Sequence, residues 1–286
     1  MKRIISIVLS LGLALNIMGL PIFAKATETT NSQNRQAVLN YLDNSYVKKF
    51  ATNPKGAEAY EKIKRNAVNV TTSDSYIKID TTGVEKTKSY TQNEYNKQVS
   101  RRDNMSSDSG NRYSWIKLTV EAYDFGNNDF MFCGFYDWIT VPFFTGTDVL
   151  TLGHDASISF NTDTAFGFTQ TTYEIMGEQH VESTNFNFAE SKKDTTTDAA
   201  GVGFKFKLFP TGGADDGTRK YTGAIYCNGW INNSFGGNLQ VSYGHSEITL
   251  GSIDLETNIS WESNGAIKFN VTGTQDIATH GNAVRY

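Results

Sequence analysis

Four histidines and 30 acidic side chains are the raw material for acid–base or metal chemistry in this 286-residue chain. Two of the histidines stand where a carboxylate is close in sequence: Gly153-His154-Asp155, after a strand-like run, and Tyr243-Gly244-His245-Ser246-Glu247, between two such runs. An imidazole beside a carboxylate is the minimum for general acid–base work, so a hydrolase built on this chain would use His154 with Asp155, or His245 with Glu247. No His-Glu-x-x-His, Gly-x-Ser-x-Gly or Cys/His ligand spacing accompanies them, which favours two turn histidines among polar neighbours. His180 and His280 lie in polar surroundings and attract no role. Asp215-Asp216-Gly217 and Asn161-x-Asp163 are fragments of calcium loops without the alternating oxygen ligands and closing Glu, and read as turns. The spacing therefore assigns no catalytic residue, no metal and no cofactor.

The remaining reactive or sticky side chains are cysteines and aromatics. Cys133 and Cys227 sit inside strand-like runs, and the sequence leaves a disulfide and two buried free thiols equally open. Two cysteines are too few for a disulfide framework, so the fold must rest on its apolar core. Aromatic residues are abundant, with 14 Tyr and 18 Phe; buried rings fill cores, and exposed ones stack on sugars. Phe132, Trp138 and Trp230 are expected in the core. Trp115, Tyr123, Tyr226 and Tyr243 are the candidates for a binding surface.

Strands are the elements that must position these groups. From Tyr113 onward the hydrophobic period is two: Ile116, Leu118, Val120 and Ala122 alternate with Lys117, Thr119 and Glu121, predicting one face in the core and one in water. Further runs follow at 130–141, 149–152, 158–160, 166–175, 181–188, 202–208, 221–231, 239–243, 248–255, 258–262 and 266–271, separated by Gly, Asn, Asp and Thr. Short strands at this frequency predict a sandwich or barrel. Around Asn264-Gly265 a two-residue loop would set Trp261 against Lys268, whereas a three-residue loop, 263–265, pairs Trp261 with Ile267 and Ile259 with Phe269; side-chain parity selects the longer loop.

Ahead of the strands, Val38, Leu42, Tyr46 and Phe50 recur at helical spacing, widened by Leu39 and Val47, and Asn53-Pro54-Lys55-Gly56 is read as the stop. A second helix over 56–67 puts Ala59, Tyr60, Ile63 and Ala67 on one face. Such a hairpin cannot bury itself alone and is expected to pack on the elements C-terminal to it. Residues 68–112 alternate weakly, with one strand expected at Tyr76–Ile79 and then polar linker, in which Arg101-Arg102 could be a cleavage site or a solvated pair. The start of the chain reads as an export signal: Lys2 and Arg3, an apolar stretch from Ile4 to Phe23, and Ala24-Lys25-Ala26 as a small-x-small site, with the cut expected after Ala26. The rival reading is an uncleaved anchor, since the run nears the ~20 residues of a bilayer span. No later segment is long and apolar enough to cross, so no membrane span is expected in the mature chain.

The cut would remove Lys2, Arg3 and Lys25 from 26 basic side chains and leave all 30 acidic ones, a net of −7, which argues against nucleic acid as a partner. Charge is also divided along the chain: residues 27–102 carry 13 basic and 8 acidic side chains, residues 103–286 carry 10 and 22. A basic appendage docking on an acidic body explains this; a basic face for an anionic envelope polymer is the alternative.

Ser114-Trp115-Ile116-Lys117-Leu118, Tyr136-Asp137-Trp138-Ile139-Thr140-Val141-Pro142 and Thr147-Asp148-Val149 resemble uncharacterised secreted β-rich proteins of Gram-positive bacteria, over the middle third of the chain. The resemblance implies a β-sandwich and no activity. The expected organisation is an export signal at 1–26, a helical hairpin at 27–68, an edge strand and polar linker at 69–112, and at 113–286 an antiparallel β-sandwich or flattened barrel. The leading functional expectation is a secreted, non-catalytic protein acting by surface recognition, its partner a cell-envelope polymer or another protein. Two alternatives are carried: a β-pore former, in which the alternating runs within 181–208 are a membrane-inserting hairpin, and the hydrolase using His154 or His245.

Overall fold

A computed structural model describes residues 34–80, 88–102, 113–142, 146–190, 194–198, 200–208, 219–246, 260–261, 267–268 and 275–284. The fold is mainly β, two antiparallel sheets forming a sandwich and not a closed barrel. The first sheet has the order β2 (Lys88–Tyr90), β1 (Asn69–Asp80), β3 (Tyr113–Asp124), β4 (Phe130–Trp138), β10 (Lys220–Ile231), β6 (Ile158–Ile175), β7 (Glu178–Asn187). The second runs β14 (Gln275–Val284), β11 (Gly237–Ser246), β5 (Thr147–His154), β9 (Gly201–Lys207), β8 (Thr195–Asp198). A small ribbon pairs β12 (Ser260–Trp261) with β13 (Ile267–Lys268); Trp261 faces Ile267, the register that parity demands of the three-residue loop. The reading of a strand at 248–255 lies outside the described residues.

Period two dictates which side chains meet between the sheets. Ile116, Leu118, Val120 and Ala122 of β3 join Phe132, Tyr136 and Trp138 of β4, Leu150 and Leu152 of β5, Phe204 and Phe206 of β9, and Val241 and Tyr243 of β11 in one buried cluster. The middle of the other face of the first sheet is not in water. There Tyr123, Met131, Cys133, Phe135, Phe168, Ala224 and Tyr226 form a second core with Val38, Leu42, Val47, Phe50, Ala59, Ile63 and Ala67. The N-terminal helices are thus a third layer, and it overturns the expectation that Lys117, Thr119 and Glu121 face solvent: Lys117 is half-buried, and Thr119 and Glu121 are buried.

The helical layer consists of α1 (residues 34–42), α2 (Tyr46–Lys49) and α3 (Pro54–Asn66). The single helix expected over 38–50 breaks at residues 43–45, where Ser45 caps α2 by accepting from Lys48 N at 3.2 Å. Asn53 and Pro54 do not merely stop a helix. Asn53 Oδ1 accepts from Lys55 N (2.9 Å) and Pro54 occupies the first turn of α3, where its missing N–H costs nothing. Arg35 donates to the carbonyls of Ala67 (2.5 Å) and Arg65 (2.8 Å), satisfying the C-terminal end of α3 and tying α1 to it. Phe50 stacks on Phe135 (5.9 Å between centroids, 15°) and meets Phe168 edge-on (5.3 Å, 79°). Gly56 lets α3 approach: a Cβ there would lie 2.2 Å from the Phe50 carbonyl oxygen.

Within residues 69–112, β1 is longer than the four residues expected and pairs with β3 over its whole length, Asn69 with Asp124 through Asp80 with Tyr113. The polar residues after it include helix α4 (Gln92–Arg102), whose Tyr95 stacks on Tyr76 (4.5 Å). Two further readings are corrected. The runs at 158–160 and 166–175 are one strand, β6, carrying a bulge. The run at 181–188 and that at 202–208 are not the two arms of a hairpin: β7 pairs with β6 in the first sheet and β9 pairs with β5 and β8 in the second. The true hairpin is β6–β7, turned by Met176 and Gly177, both at positive φ (56° and 81°).

Candidate functional site

Trp115, Tyr123, Tyr226 and Tyr243, expected as surface rings, are all buried: Tyr123 and Tyr226 under the helical layer, Tyr243 between the sheets, and Trp115 against Tyr90 of β2 and Tyr95 of α4. Trp230 makes the opposite departure: expected in the core, it is 44% exposed. Cys133 and Cys227 are free and buried. Cys133 pairs with Tyr226 and Cys227 with Phe132, so the two residues are offset by one position and their side chains leave opposite faces of the sheet, one to each core. No bridge can span that. Burial pushes the Cys227 thiol up to about 12 and holds Cys133 well above its ordinary value.

The histidines do not share a cleft. His154 of β5 lies opposite Leu239 of β11, and His245 lies six residues further along β11, about 20 Å at strand spacing. His154 Nδ1 bonds the Asp155 carbonyl oxygen (2.8 Å) and its ring tilts on Phe160; burial lowers its pKa. The Asp155 carboxylate is committed to a turn, accepting from Ser157 N (2.9 Å), Asn238 N (2.9 Å) and Asn238 Nδ2 (2.7 Å). His245 has a carboxylate partner, but it is Asp148 of β5, with Nδ1 at 3.0 Å from Oδ1. Tyr243 also donates to Asp148, and Trp138 Nε1 donates to Tyr243 (2.9 Å). This quartet is buried and joins β4, β5 and β11 across the two sheets, so it clamps them together. Glu247 lies outside the described residues. Among the described residues no group of three His, Cys, Asp or Glu is placed to hold a metal.

A second buried acid sits under the helical layer. Glu121, with no exposed surface, accepts from Tyr41 of α1 and Tyr123 of β3, each at 2.5 Å. Burial raises its carboxyl to about 7, against the opposing pull of the two phenols and Lys117. The Tyr41 hydroxyl is also hydrogen-bonded to Thr72 of β1 (3.0 Å), so the acid fastens α1 to two strands.

Among the described residues an open feature with room for a ligand is a groove of about 450 Å³ between α3 and the β6–β7 side of the first sheet. Its origin is the bulge in β6. Tyr226 and Asn228 are two residues apart on β10, while their partners Phe166 and Asn161 are five apart on β6. The three extra residues push Asp163 and Thr164 outward as one wall, while Ala165 beside them is buried. Thr164 pins the bulge: its hydroxyl accepts from Asn228 N (3.0 Å) and donates to the Asn161 carbonyl (2.7 Å). Phe166, stacked on buried Tyr226 (4.5 Å, 11°), and Met131 line the apolar part. Lys55, Glu58 and Lys62 of α3 form the facing wall, and Asn185 and Asn187 of β7 the far side. Lys55 pairs with Glu58 (2.9 Å), Lys62 donates to Asn228 Oδ1 (3.1 Å), and Asn53 Nδ2 donates to Asn185 Oδ1 (2.8 Å). The walls are therefore polar, charge-balanced and held in place by bonds between layers. Two sequence features fall on this site, Asp163 of the Asn161-x-Asp163 fragment read as a turn, and Asn185 and Asn187 within the alternating run at 181–188.

No family model matches the chain, and no curated protein matches it in sequence. Solved structures with some likeness include ACE19, the collagen-binding subdomain of the Enterococcus faecalis surface protein ACE, at 9% identity over 56% of this chain and 89% of that one, with a TM-score of 0.27. A structure described as a pore forming protein shares 8% identity over 74% of this chain and 90% of that one, with a TM-score of 0.29. The Clostridium perfringens NetB toxin in its membrane-inserted form shares 9% over 61% and 84%, with a TM-score of 0.20. Likeness at this level assigns neither activity nor partner.

Proposed function

We propose that this chain is a secreted, non-catalytic recognition protein that holds its partner, an envelope polymer or a protein, in the groove between α3 and β6–β7. The observation that carries this reading is the bulge: a strand departs from its ladder, and the departure builds a concave wall whose polar groups face those of another layer. Binding sites pair an apolar floor with a few fixed polar groups in this way. Export remains a reading of residues 1–26, which lie outside the described residues; among the described ones no helix is long and apolar enough to cross a membrane.

The test is co-sedimentation of residues 27–286 with purified bacterial cell walls, with and without their attached proteins, comparing wild type with Glu58→Trp. Glu58 is exposed on α3 and its ion pair with Lys55 is a surface one, so the indole fills the groove at little cost to the fold. Wild type should sediment and Glu58→Trp should not. Equal behaviour of the two, or no sedimentation of either, sinks the proposal. The pore-forming alternative has less support, because β7 and β9 would have to leave separate sheets before they could pair; no dye release from liposomes is expected.

A further inference from the structure

Trp230 stands two residues beyond Asn228 on β10, in a stretch where the pairing with β6 is regular, Asn228 with Asn161 and Trp230 with Ser159. Residues two apart on a strand share a face, so the exposed indole lies on the groove's own side of the sheet, about 7 Å along β10 from the amide that helps line it. The inward positions Cys227 and Ile231 belong to the core between the sheets, so the indole is on the opposite, helical side.

The groove's polar groups carry no net charge. Its two lysines are matched by two carboxylates, Glu58 and Asp163, and the rest are neutral: Thr164, Asn185, Asn187 and Asn228. Side-chain amides both donate and accept, which matches a ligand that presents hydroxyl groups of the same double character; the Thr164 hydroxyl, whose proton goes to the Asn161 carbonyl, can only accept. A balanced lining offers no net attraction to an anionic chain. An apolar indole face beside such a lining suits the C–H face of a pyranose, with the ring's hydroxyls turned to the amides.

Building on the groove reading, we infer that the ligand is a neutral oligosaccharide, one sugar seated on the exposed face of Trp230 and the next in the groove between Asn228, Thr164 and the Lys62 wall. The separation between indole and amide leaves one ring unable to occupy both places, so monosaccharides bind poorly.

The test uses residues 27–286 on an array of neutral oligosaccharides, acidic oligosaccharides and peptides, followed by titration of the best neutral hit with tryptophan fluorescence as readout. Expected are retention of at least one neutral oligosaccharide, an affinity that hardly changes between low and high salt, and a loss of about tenfold in Trp230→Ala. Trp230→Phe should recover most of that loss, and thermal unfolding of both variants should match wild type. Retention of acidic saccharides alone with a steep salt dependence, retention of peptides alone, no retention of any neutral saccharide, or wild-type affinity in Trp230→Ala each overturns the inference. Glu58→Trp separates this from the groove reading. If it abolishes peptide or acidic-polymer binding while no neutral saccharide is retained, the groove stands and the saccharide falls; if it spares saccharide binding that Trp230→Ala removes, the groove falls and the indole platform stands.

Discussion

Glu121 makes stability depend on pH in a direction opposite to the usual carboxylate. Its folded-state pKa is about 7 against an ordinary 4.5, so between those values the native state holds a proton that the unfolded chain has released. Stability from this group is therefore fully present below about pH 4.5, falls as pH rises, and is lost above about 7. Each unit of that window is worth about 1.4 kcal/mol, which gives about 3 kcal/mol in all. Substituting Glu121→Gln removes the titration while keeping an oxygen for one phenol and an amide for the other. The assay is urea unfolding of wild type and variant at intervals from pH 4.5 to 8, read by circular dichroism. The difference between the two should shift by about 3 kcal/mol across the window in favour of the variant, because every other carboxylate titrates in both. Parallel curves would refute the reasoning and would mean that Glu121 ionises at an ordinary value despite its burial.

Three other outcomes are expected. Phe50→Ala removes a ring buried against Phe135 and Phe168 and should cost about 3–5 kcal/mol in denaturant unfolding, with less loss if the helical layer settles into the gap. Gly167→Ala would place a Cβ 2.3 Å from the Phe204 ring, so the sheets must part locally, and the melting temperature should fall by an amount equivalent to about 1–3 kcal/mol. Cys133 and Cys227 should resist a thiol reagent in the folded protein and react together on unfolding, since both are buried with raised pKa values; rapid native labelling of either would contradict the two-core arrangement.

Period two made much of the sandwich legible. It placed Ile116, Leu118, Val120 and Ala122 on one face and fixed Trp261 against Ile267, because parity is a local property of a strand. It could not say what lies over the other face. Glu121 reads as a solvent residue since polar alternation looks the same whether water or a helix covers it, and only the helical stripe of Val38, Leu42 and Phe50 hinted at the cover. Nor does alternation name a partner. Asn185-Phe186-Asn187-Phe188 and Phe204-Lys205-Phe206 have the pattern of a hairpin, yet Phe186 and Phe204 stack across the gap between sheets (4.3 Å). The groove was the least legible part. It depends on three extra residues in β6, where Asn161-x-Asp163 reads as a turn between two strands and not as a bulge within one, and on an outward Trp230 whose type alone argued for the interior.

The helical layer also sets an order of events as the chain folds. Its ties reach far along the sequence: Tyr41 to Glu121 spans 80 residues, Asn53 to Asn185 spans 132, and Lys62 to Asn228 spans 166. Its three helices precede every described strand, yet they have nothing to dock on until β4, β10 and β6 have assembled into a sheet. Contacts of such range close slowly. In that interval Phe135, Phe168 and Tyr226 stand bare on a sheet face, a surface that invites self-association. The N-terminal segment therefore works as a tethered cover, present at high local concentration from the outset, and a cut between α3 and β1 would free it from the sheet face it shields.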